Sequence, residues 1–366
     1  MSPVQERESE RGSKLEFLDW DPIFGRDRMI NIVLTARGRG KTYGLRLQCV
    51  RDFIGKGLCF VELCRTLDEC EDVARDYYAR IAENNEFPGY MFKTTKHRAY
   101  IAKRPENDED APKWKLIGYF CSLSAANRYK KKTFKRVRRF IMDEAIIDRA
   151  LTSRGYLSNE VERISSIVDS VTRERPGERQ KIYIYFLGNS CDLSCPILEY
   201  YGVRQEPKRG FTRLDKDVLV LYEDPGEYGE RKARETSAAR MLKNDSKALQ
   251  IAAYNRFLEP HKDEIEPKPK TCELLFGLLY QADEFGIWVD KREYFLHISS
   301  KVPRSGHNRP IFAFSFSDGD INTPVLEACA PEMRIVVNAL YRRNVRFESL
   351  LTREKFLRTL KLLGKI

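Results

Sequence analysis

A glycine-rich turn followed by a lysine and a threonine reads Ala-Arg-Gly-Arg-Gly-Lys-Thr. Backbone N–H groups of such a turn can surround a phosphate, because Gly38 and Gly40 let the chain curl closely around the anion. Lys41 would then reach the β- and γ-phosphates of a nucleotide, and Thr42 would bind Mg²⁺. The strict P-loop pattern has glycine where this chain has Thr35. The turn predicts an ATP site with a relaxed first position. The alternative is a basic turn that binds no ligand.

An acidic pair, Asp143 and Glu144, follows the apolar run Phe-Ile-Met further along the chain. In P-loop enzymes the aspartate of such a pair helps to hold Mg²⁺, and the glutamate polarises the water that attacks the γ-phosphate. Apolar runs that end in Asp-Glu are common, but their position after a P-loop and intervening strand–helix units makes this one more specific. The pair therefore predicts ATP hydrolysis with ATP and Mg²⁺ bound.

Two further polar residues follow predicted elements. Arg173 comes after a helix predicted over 159–172, and Asn189 comes after a buried strand predicted over 181–187. An arginine there could stabilise the charge that develops on a neighbouring subunit's γ-phosphate, or simply satisfy the helix dipole. An asparagine at a strand tip can sense the γ-phosphate, or form a turn with the preceding glycine. Arg175 lies in the same loop and competes with Arg173 for the first role.

The elements that must position these residues alternate between strands and helices. Apolar runs at 29–35, 58–63 and 218–222 read as buried strands, and a helix is predicted over 42–54. Residues 90–122 favour β-hairpins. Alternation of this kind predicts an α/β fold with a parallel sheet, whose site lies at the carboxyl ends of the strands. The nucleotide would then be held by Arg37, Gly38, Arg39, Gly40, Lys41, Thr42, Asp143 and Asn189.

The chain of 366 residues is long for a single domain. We expect a mobile tail over 1–14, a P-loop domain over 15–224 and a linker with helices over 225–265. A smaller α+β domain, with several strands and two closing helices, is expected over 266–366. The composition supports real cores, because 42% of the residues are hydrophobic.

The formal net charge of +11 suggests a polyanionic partner, with nucleic acid as the leading candidate. No apolar run approaches the ~20 residues of a spanning helix, so no membrane partner is expected. Nine cysteines and four histidines are scattered without zinc-site spacing, which favours buried reduced thiols. Metal centres built on histidine and Ser-His catalysis have little support.

A dense basic run at 128–139 contains eight lysines and arginines in twelve residues. Such a cluster repels itself unless an anion is present, so the run predicts contact with the phosphate backbone of DNA. The alternative is the solvated charged edge of a strand. The residues expected to contact DNA are Lys130, Lys131, Lys132, Lys135 and Arg136.

The order and spacing of these motifs resemble those of the DNA-packaging ATPases (encapsidation proteins) of small phi29-like phages, which are related to terminase large subunits. The likeness covers most of the chain. The relaxed first position of the turn is similar to that family's P-loop, and Gly188 stands where its Leu-Ser-Asn motif has serine. The similar segments are 36–42, 140–144, 158–171, 187–189, 285–290 and 345–348.

The resemblance implies an ASCE-type motor ATPase that moves double-stranded DNA into a procapsid. It implies a homomeric ring, with five subunits expected, at the portal (connector) vertex in the host cytoplasm. Whether a structural RNA also takes part stays open. By the same resemblance Arg173 acts on the neighbouring subunit, and the second domain is RNase H-like. Nuclease activity is not expected, because Asp290, Asp318 and Asp320 are scattered whereas two-metal cleavage needs a close acidic cluster.

Two alternatives stay open from the sequence. A helicase or recombination-type ATPase would use the same phosphate chemistry on nucleic acid. A nucleic-acid-binding scaffold with a degenerate P-loop would bind DNA without hydrolysing ATP.

Overall fold

The computed structural model describes most of the chain, and the statements below concern those residues. They are 17–107, 109–134, 136–147, 155–173, 181–190, 192–203, 206–242, 246–257, 262–281, 283–303, 308–315, 317–320, 323–325 and 331–362. By its internal contacts the chain divides into two units. The first unit comprises Met1–Cys191 and Pro207–Leu258, and the second comprises Asp192–Glu206 and Glu259–Ile366.

A nine-stranded sheet forms the first unit, in the order β3-β4-β5-β2-β6-β7-β1-β9-β8. The six strands at the centre of this order, β5, β2, β6, β7, β1 and β9, run parallel. The antiparallel hairpin of β3 and β4 extends the sheet beyond β5, and the antiparallel strand β8 extends it beyond β9. The strands are β1 (Ile30–Leu34), β2 (Cys59–Cys64), β3 (Tyr90–Thr95), β4 (Arg98–Lys103), β5 (Lys115–Ser122), β6 (Val137–Met142), β7 (Tyr183–Gly188), β8 (Gly210–Asp215) and β9 (Val218–Tyr222).

The parallel sheet predicted from the sequence is confirmed. Its central strands are buried, which explains why they could be predicted from apolar runs in the sequence. Every residue of β1, β2, β7 and β9 is buried, as expected of parallel strands with both faces covered. Such strands read as continuous apolar runs and not as alternating ones. The antiparallel edge strand β8 is largely exposed and polar, and the sequence interpretation did not include it.

Helices cover both faces of this sheet. The helix Lys41–Lys56 ends at Gly57, whose φ of +63° is the left-handed conformation that glycine adopts readily. The helix after β2 begins with a capping box, in which Thr66 accepts from the Glu69 backbone N–H at 3.2 Å. The helices of this unit beyond Lys41–Lys56 include Leu67–Asp76, Ala79–Glu83, Glu160–Thr172, Gly226–Glu235 and Lys247–Ala252.

The basic run 128–139 does not form one continuous surface. Its first part belongs to a 3₁₀ helix, Leu123–Lys131, and its last part opens β6. Arg139 is buried, with Nε 2.6 Å from Asp52 Oδ2 and Nη1 beside the Tyr185 hydroxyl. The sequence interpretation counted Arg139 with the exposed cluster because its carboxylate partner is distant in sequence.

The helices between 226 and 252 belong to the first unit by their contacts, although the sequence assigned this stretch to a linker. Ala252 O accepts from the Arg37 backbone N–H at 3.2 Å, and the Tyr228 hydroxyl donates to Arg37 O at 3.0 Å. The stretch therefore packs on the glycine-rich turn itself.

The second unit contains a smaller mixed sheet in the order β13-β10-β11-β12-β14. Three antiparallel strands form its centre, and one parallel strand flanks each side. Phe285, Phe347 and Phe356 are completely or almost completely buried between sheet and helices. The elements are β10 (Glu273–Tyr280), β11 (Asp283–Asp290), β12 (Phe295–Ser299), β13 (Ile311–Ala313), β14 (Val345–Phe347) and the helices Pro196–Tyr200, Pro331–Tyr341 and Leu350–Leu362.

In the part of the chain that the structure describes, no helix combines the length and apolar character needed to cross a bilayer.

His297 provides a pH test of the second unit. Its ring is completely buried in β12 with Nε2 3.0 Å from Glu266 O, and burial lowers its pKa below the ordinary 6.5. The unfolded chain therefore binds a proton near pH 6.5 that the folded chain rejects, so stability falls as pH drops below that value. Between pH 7.5 and 5.5 we expect the melting temperature to fall more in the natural protein than in His297→Gln. Equal falls in differential scanning calorimetry would contradict this assignment.

Candidate nucleotide-binding site

The strand order places the candidate residues side by side. β7 lies between β1 and β6, and all three strands run parallel. Their carboxyl ends therefore meet at one edge of the sheet, as in other open α/β sheets that bind ligands there. The glycine-rich turn follows β1, the acidic pair follows β6 and Asn189 follows β7.

The turn has the backbone that its glycines predict. Gly38 has φ +84° and Gly40 has φ +69°, both in the left-handed region. A Cβ atom added to Gly40 would also collide with the ring of Phe17, so this position has two separate reasons for glycine. Gly40 caps the helix Lys41–Lys56, whose N-terminus adds partial positive charge to the turn.

Thr35 is compatible with this turn. It is completely buried, and its backbone N–H donates to Gly188 O at 3.1 Å, which continues the contact between β1 and β7. Its φ is not among the positive values of the described residues. The first position therefore has no conformational need for glycine in this chain, and the departure from the strict pattern is explained.

Two side-chain contacts join the three strand ends. Lys41 Nζ lies 2.9 Å from Asn189 Oδ1, and the Thr42 hydroxyl donates to Asp143 Oδ2 at 2.6 Å. Burial lowers the pKa of Lys41, while the negative charges of Asp143 and Glu144 oppose that change. The hydroxyl of Thr42 and the carboxylate of Asp143 are the hard oxygen donors that Mg²⁺ prefers, so the residues present fit this ion.

Glu144 has an exposed side chain on a strained backbone. Its φ is +48°, a conformation that non-glycine residues adopt only when their surroundings hold it. Its N–H donates to Asp143 Oδ1 at 3.0 Å, and its carbonyl accepts from Arg65 Nη1 at 3.0 Å. The next residue is held as well, because the Ala145 N–H donates to Leu187 O at 2.8 Å. These contacts hold the backbone from which the Glu144 side chain extends.

Arg65 and Glu160 form a buried ion pair that the sequence interpretation missed. Arg65 Nη2 lies 2.9 Å from Glu160 Oε1, and Arg65 Nε lies 3.0 Å from Glu160 Oε2. The two side chains are 95 positions apart, so no local spacing could have paired them. This fork–fork geometry is the strong form of a charged hydrogen bond. It connects the Glu144 backbone to the first residue of the helix Glu160–Thr172.

Arg39 and Arg37 approach the site in different ways. Arg39 Nε lies 2.5 Å from Glu223 Oε1, and its guanidinium lies 4.7 Å from the centre of the Tyr228 ring. Burial raises the pKa of Glu223, and the charge of Arg39 opposes this. Arg37 contributes its backbone, which bonds to Ala252 and Tyr228. The Arg39 side chain therefore holds the turn to the end of β9.

Asn255 is a second residue that sequence reasoning missed. It is completely buried with φ +49°. Its side-chain amide forms hydrogen bonds with backbone groups at the ends of three strands. Nδ2 donates to Leu34 O at 3.1 Å and to Glu223 O at 2.9 Å. Oδ1 accepts from the Ser190 N–H at 3.3 Å. A lone asparagine within a helical stretch carries no sequence signal for such a role.

Arg173 does not contact the residues of its own chain that are candidates for phosphate binding. Its Nη2 donates to Lys132 O at 2.6 Å and to Lys130 O at 3.3 Å. It ends a 13-residue helix of about 20 Å, the length expected from 1.5 Å per residue. Glu160 opens that helix, beside Arg65. The contacts of Arg173 include none of the residues at the glycine-rich turn.

The predicted DNA contacts are partly described. Lys130, Lys131, Lys132 and Arg136 all have exposed side chains. Lys135 and Arg175 lie outside the described residues. The four exposed cations remain predictions for DNA binding.

Carboxylates of the second unit form hydrogen bonds within turns. Asp290 Oδ1 accepts from the backbone N–H groups of Arg292 and Glu293 at 2.8 and 3.0 Å. Asp318 accepts from the backbone N–H of Ser315 at 3.0 Å, and Asp320 accepts from the Thr323 hydroxyl at 2.7 Å. Turn geometry explains these three residues without a metal ion.

The sequence model of the Podovirus DNA encapsidation protein (Gp16) family matches residues 13–361. The chain belongs to this family. The resemblance inferred from the motifs is therefore confirmed.

Curated relatives support the assignment over most of the chain. The DNA packaging protein of Bacillus phage B103 is 26% identical over 80% of this chain and 83% of its own length. The DNA packaging protein of Bacillus phage phi29 is 24% identical over 81% of each.

Solved structures of phage packaging motors share the fold. The bacteriophage phi-29 viral genome packaging motor assembly contains a chain with 20% identity and a TM-score of 0.66. That match covers 95% of this chain and 99% of the other. The phi-28 gp11 DNA packaging motor gives 18% identity and a TM-score of 0.59, with 96% and 98% covered. The fold match therefore includes both units.

Gly188, where the resemblance would place a serine, has little room for a side chain. A Cβ atom added to Gly188 would lie 3.0 Å from Cγ1 of Ile146. A serine at this position would therefore require the Ile146 side chain to shift by a few tenths of an ångström.

Asn255→Ala should strongly destabilise the first unit. The substitution removes three buried hydrogen bonds, each worth about 0.5–1.5 kcal/mol. Leu34 O keeps the Glu223 N–H and Glu223 O keeps Arg209 Nη1, but the buried Ser190 N–H is left without a partner, which adds about 1–3 kcal/mol. We expect a loss of about 3 kcal/mol or more in urea unfolding. Asn85→Ala is the control, because Asn85 has the same φ of +49° and an exposed side chain. Similar losses of stability in the two variants would show that backbone strain, and not the buried amide, sets the cost.

Proposed function

We propose that this chain is the ATP-hydrolysing subunit of a motor that drives double-stranded DNA into a viral procapsid. It acts as a homomeric ring, with five subunits as the proposed number, at the portal vertex in the host cytoplasm. The names of the relatives support this proposal, since they are a DNA packaging protein and a packaging motor assembly.

One observation carries the catalytic part. The contacts Lys41–Asn189 and Thr42–Asp143 join the ends of three parallel strands at one point. A cation, two oxygen donors and an amide therefore converge where the helix Lys41–Lys56 begins. This is the arrangement that phosphoryl transfer needs, because its catalysis is mainly positioning and charge stabilisation.

Each residue then has a defined task in hydrolysis. The backbone of Gly38 and Gly40 surrounds the β-phosphate, and Lys41 binds the β- and γ-phosphates. Thr42 and Asp143 would hold Mg²⁺, which when bound neutralises charge on the phosphate oxygens. Glu144 orients and polarises the attacking water. Asn189 would detect the γ-phosphate through its contact with Lys41.

Arg173 completes the site of a neighbouring subunit in this proposal. Within its own chain its guanidinium bonds to the carbonyl groups of Lys130 and Lys132 and not to the glycine-rich turn, which supports action between subunits. A cation that reaches the γ-phosphate stabilises the charge of the transition state and is worth about 10³–10⁵ in rate.

The partners follow from charge and family. Lys130, Lys131, Lys132 and Arg136 would grip the phosphate backbone of double-stranded DNA without reading its sequence. The second unit would be an RNase H-like module without nuclease activity that docks on the portal or on nucleic acid. A structural RNA remains an open partner.

Mixed rings test the assignment of Arg173. Arg173→Ala and Glu144→Gln should each reduce DNA-stimulated ATP hydrolysis at least 100-fold. Random mixing should restore roughly a quarter of the natural rate, because one interface in four then combines an intact Glu144 with an intact Arg173. Fluorescent labels on the two variants verify that they share rings. Shared rings without recovered hydrolysis would refute action between subunits.

Salt dependence tests the proposed DNA-binding lysines. Replacing Lys130, Lys131 and Lys132 by alanine should weaken binding equally for unrelated DNA sequences. The slope of log affinity against log salt should fall by about 0.9 for each phosphate that the variant no longer neutralises. The control removes the same charge from three other exposed lysines, Lys56, Lys113 and Lys216. Equal effects in both triple variants would assign the binding to overall charge.

A further inference from the structure

Lys232 places a further cation beside the glycine-rich turn, in addition to Arg37, Arg39 and Lys41. It lies on the helix Gly226–Glu235, and its ammonium donates to the carbonyl oxygen of Arg37. The Tyr228 hydroxyl, one turn earlier, donates to the same oxygen at 3.0 Å. Two donors from one helix therefore converge on a single carbonyl of the turn.

The ammonium of Lys232 lies over a glycine of the turn. A Cβ atom added to Gly38 would be 3.5 Å from Lys232 Nζ and 2.9 Å from the Tyr228 oxygen. Gly38 has φ +84° and belongs to the segment whose backbone would surround a phosphate. Lys232 is therefore within reach of the same region, although it lies 195 positions beyond Arg37 in sequence.

The charged groups that act on the pKa of Lys232 are both positive. Arg37 and Lys41 face it from the turn, and Tyr228 lies on its own helix. Glu223 acts on the pKa values of Tyr228 and Lys41, and it forms an ion pair with Arg39 at 2.5 Å. Among the described residues no carboxylate forms an ion pair with Lys232. Burial and the charges of Arg37 and Lys41 lower the pKa of Lys232 to about 8.

Lys232, Arg37 and Lys41 repel one another, and a polyanionic ligand bound between them would relieve that repulsion. The carbonyl of Arg37 holds the ammonium in the meantime and can be exchanged for a phosphate oxygen, which is the stronger acceptor. We propose that Lys232 is a phosphate-binding residue that joins Lys41 in holding a nucleoside triphosphate. This inference rests on the proposed ATPase function and adds a ligand from the helical segment to the site.

The first test measures the affinity of the full-length protein for a fluorescent ATP analogue at pH 7. Lys232→Met should weaken binding about 10-fold or more, the usual effect of removing one charged hydrogen bond. Lys232→Arg should stay within about threefold, because the positive charge is kept. Arg234→Met is the matched control, since it removes the same charge from the same helix at an exposed position. Equal losses of affinity in Lys232→Met and Arg234→Met would overturn the proposal.

The second test measures how the affinity for the ATP analogue depends on pH. A Lys232 that only held Arg37 in place would not produce the pH dependence described here. Above a pKa of about 8, the free protein carries a neutral Lys232 that must take up a proton to bind phosphate. Between pH 7 and 9.5 the affinity of the natural protein should therefore fall, approaching about tenfold per pH unit. Lys232→Arg should lack this component, because a guanidinium stays charged throughout. Parallel pH profiles would overturn the proposal even if Lys232→Met failed to fold.

Lys41→Ala separates this inference from the proposed function. If it leaves the affinity for the analogue unchanged, the nucleotide site itself is wrong. If it abolishes binding while Lys232→Met matches Arg234→Met, only the role of Lys232 fails. Melting temperatures of all variants confirm that folded protein is compared.

Discussion

The strand order β6-β7-β1 is the constraint on which the rest of the molecule depends. Parallel strands end at the same edge, so the glycine-rich turn, the acidic pair and Asn189 meet without any long-range adjustment of side chains. The buried contacts around them then fix the finer geometry. Asn255 ties β1 to β9 and to the segment after β7, and Arg65 holds the backbone of Glu144. The residues proposed to carry out the chemistry lie on loops, but rigid strands set the distances between them.

Whether a feature could be predicted from the sequence depended on how far apart its residues lie along the chain. The turn, the acidic pair and the parallel strands were predictable, because each is a local pattern of residue types. The pairs Arg65–Glu160 and Arg139–Asp52 were not, since their members are far apart and meet only after folding. Arg139 shows the consequence most clearly. Its neighbours in sequence placed it in the dense basic run 128–139, whereas tertiary packing buries it.

The stretch 225–265 was the least predictable part, for a related reason. Its polar and basic composition is typical of a linker, yet its helices Gly226–Glu235 and Lys247–Ala252 contact the turn through hydrogen bonds to the backbone of Arg37. Such contacts need few apolar residues and leave no periodic signal. The composition revealed neither where the segment would pack nor the small buried cluster that Ala239, Leu249 and Ala253 form within it.

The position of Arg173 has a consequence for when such a motor would hydrolyse ATP. A single subunit keeps this guanidinium on two of its own carbonyl groups, those of Lys130 and Lys132, at the far end of the helix from Glu160. On the proposed assignment, a subunit that has not joined a ring lacks half of its catalytic charge. Free copies in the cell would then consume almost no ATP, and energy expenditure would begin only with assembly.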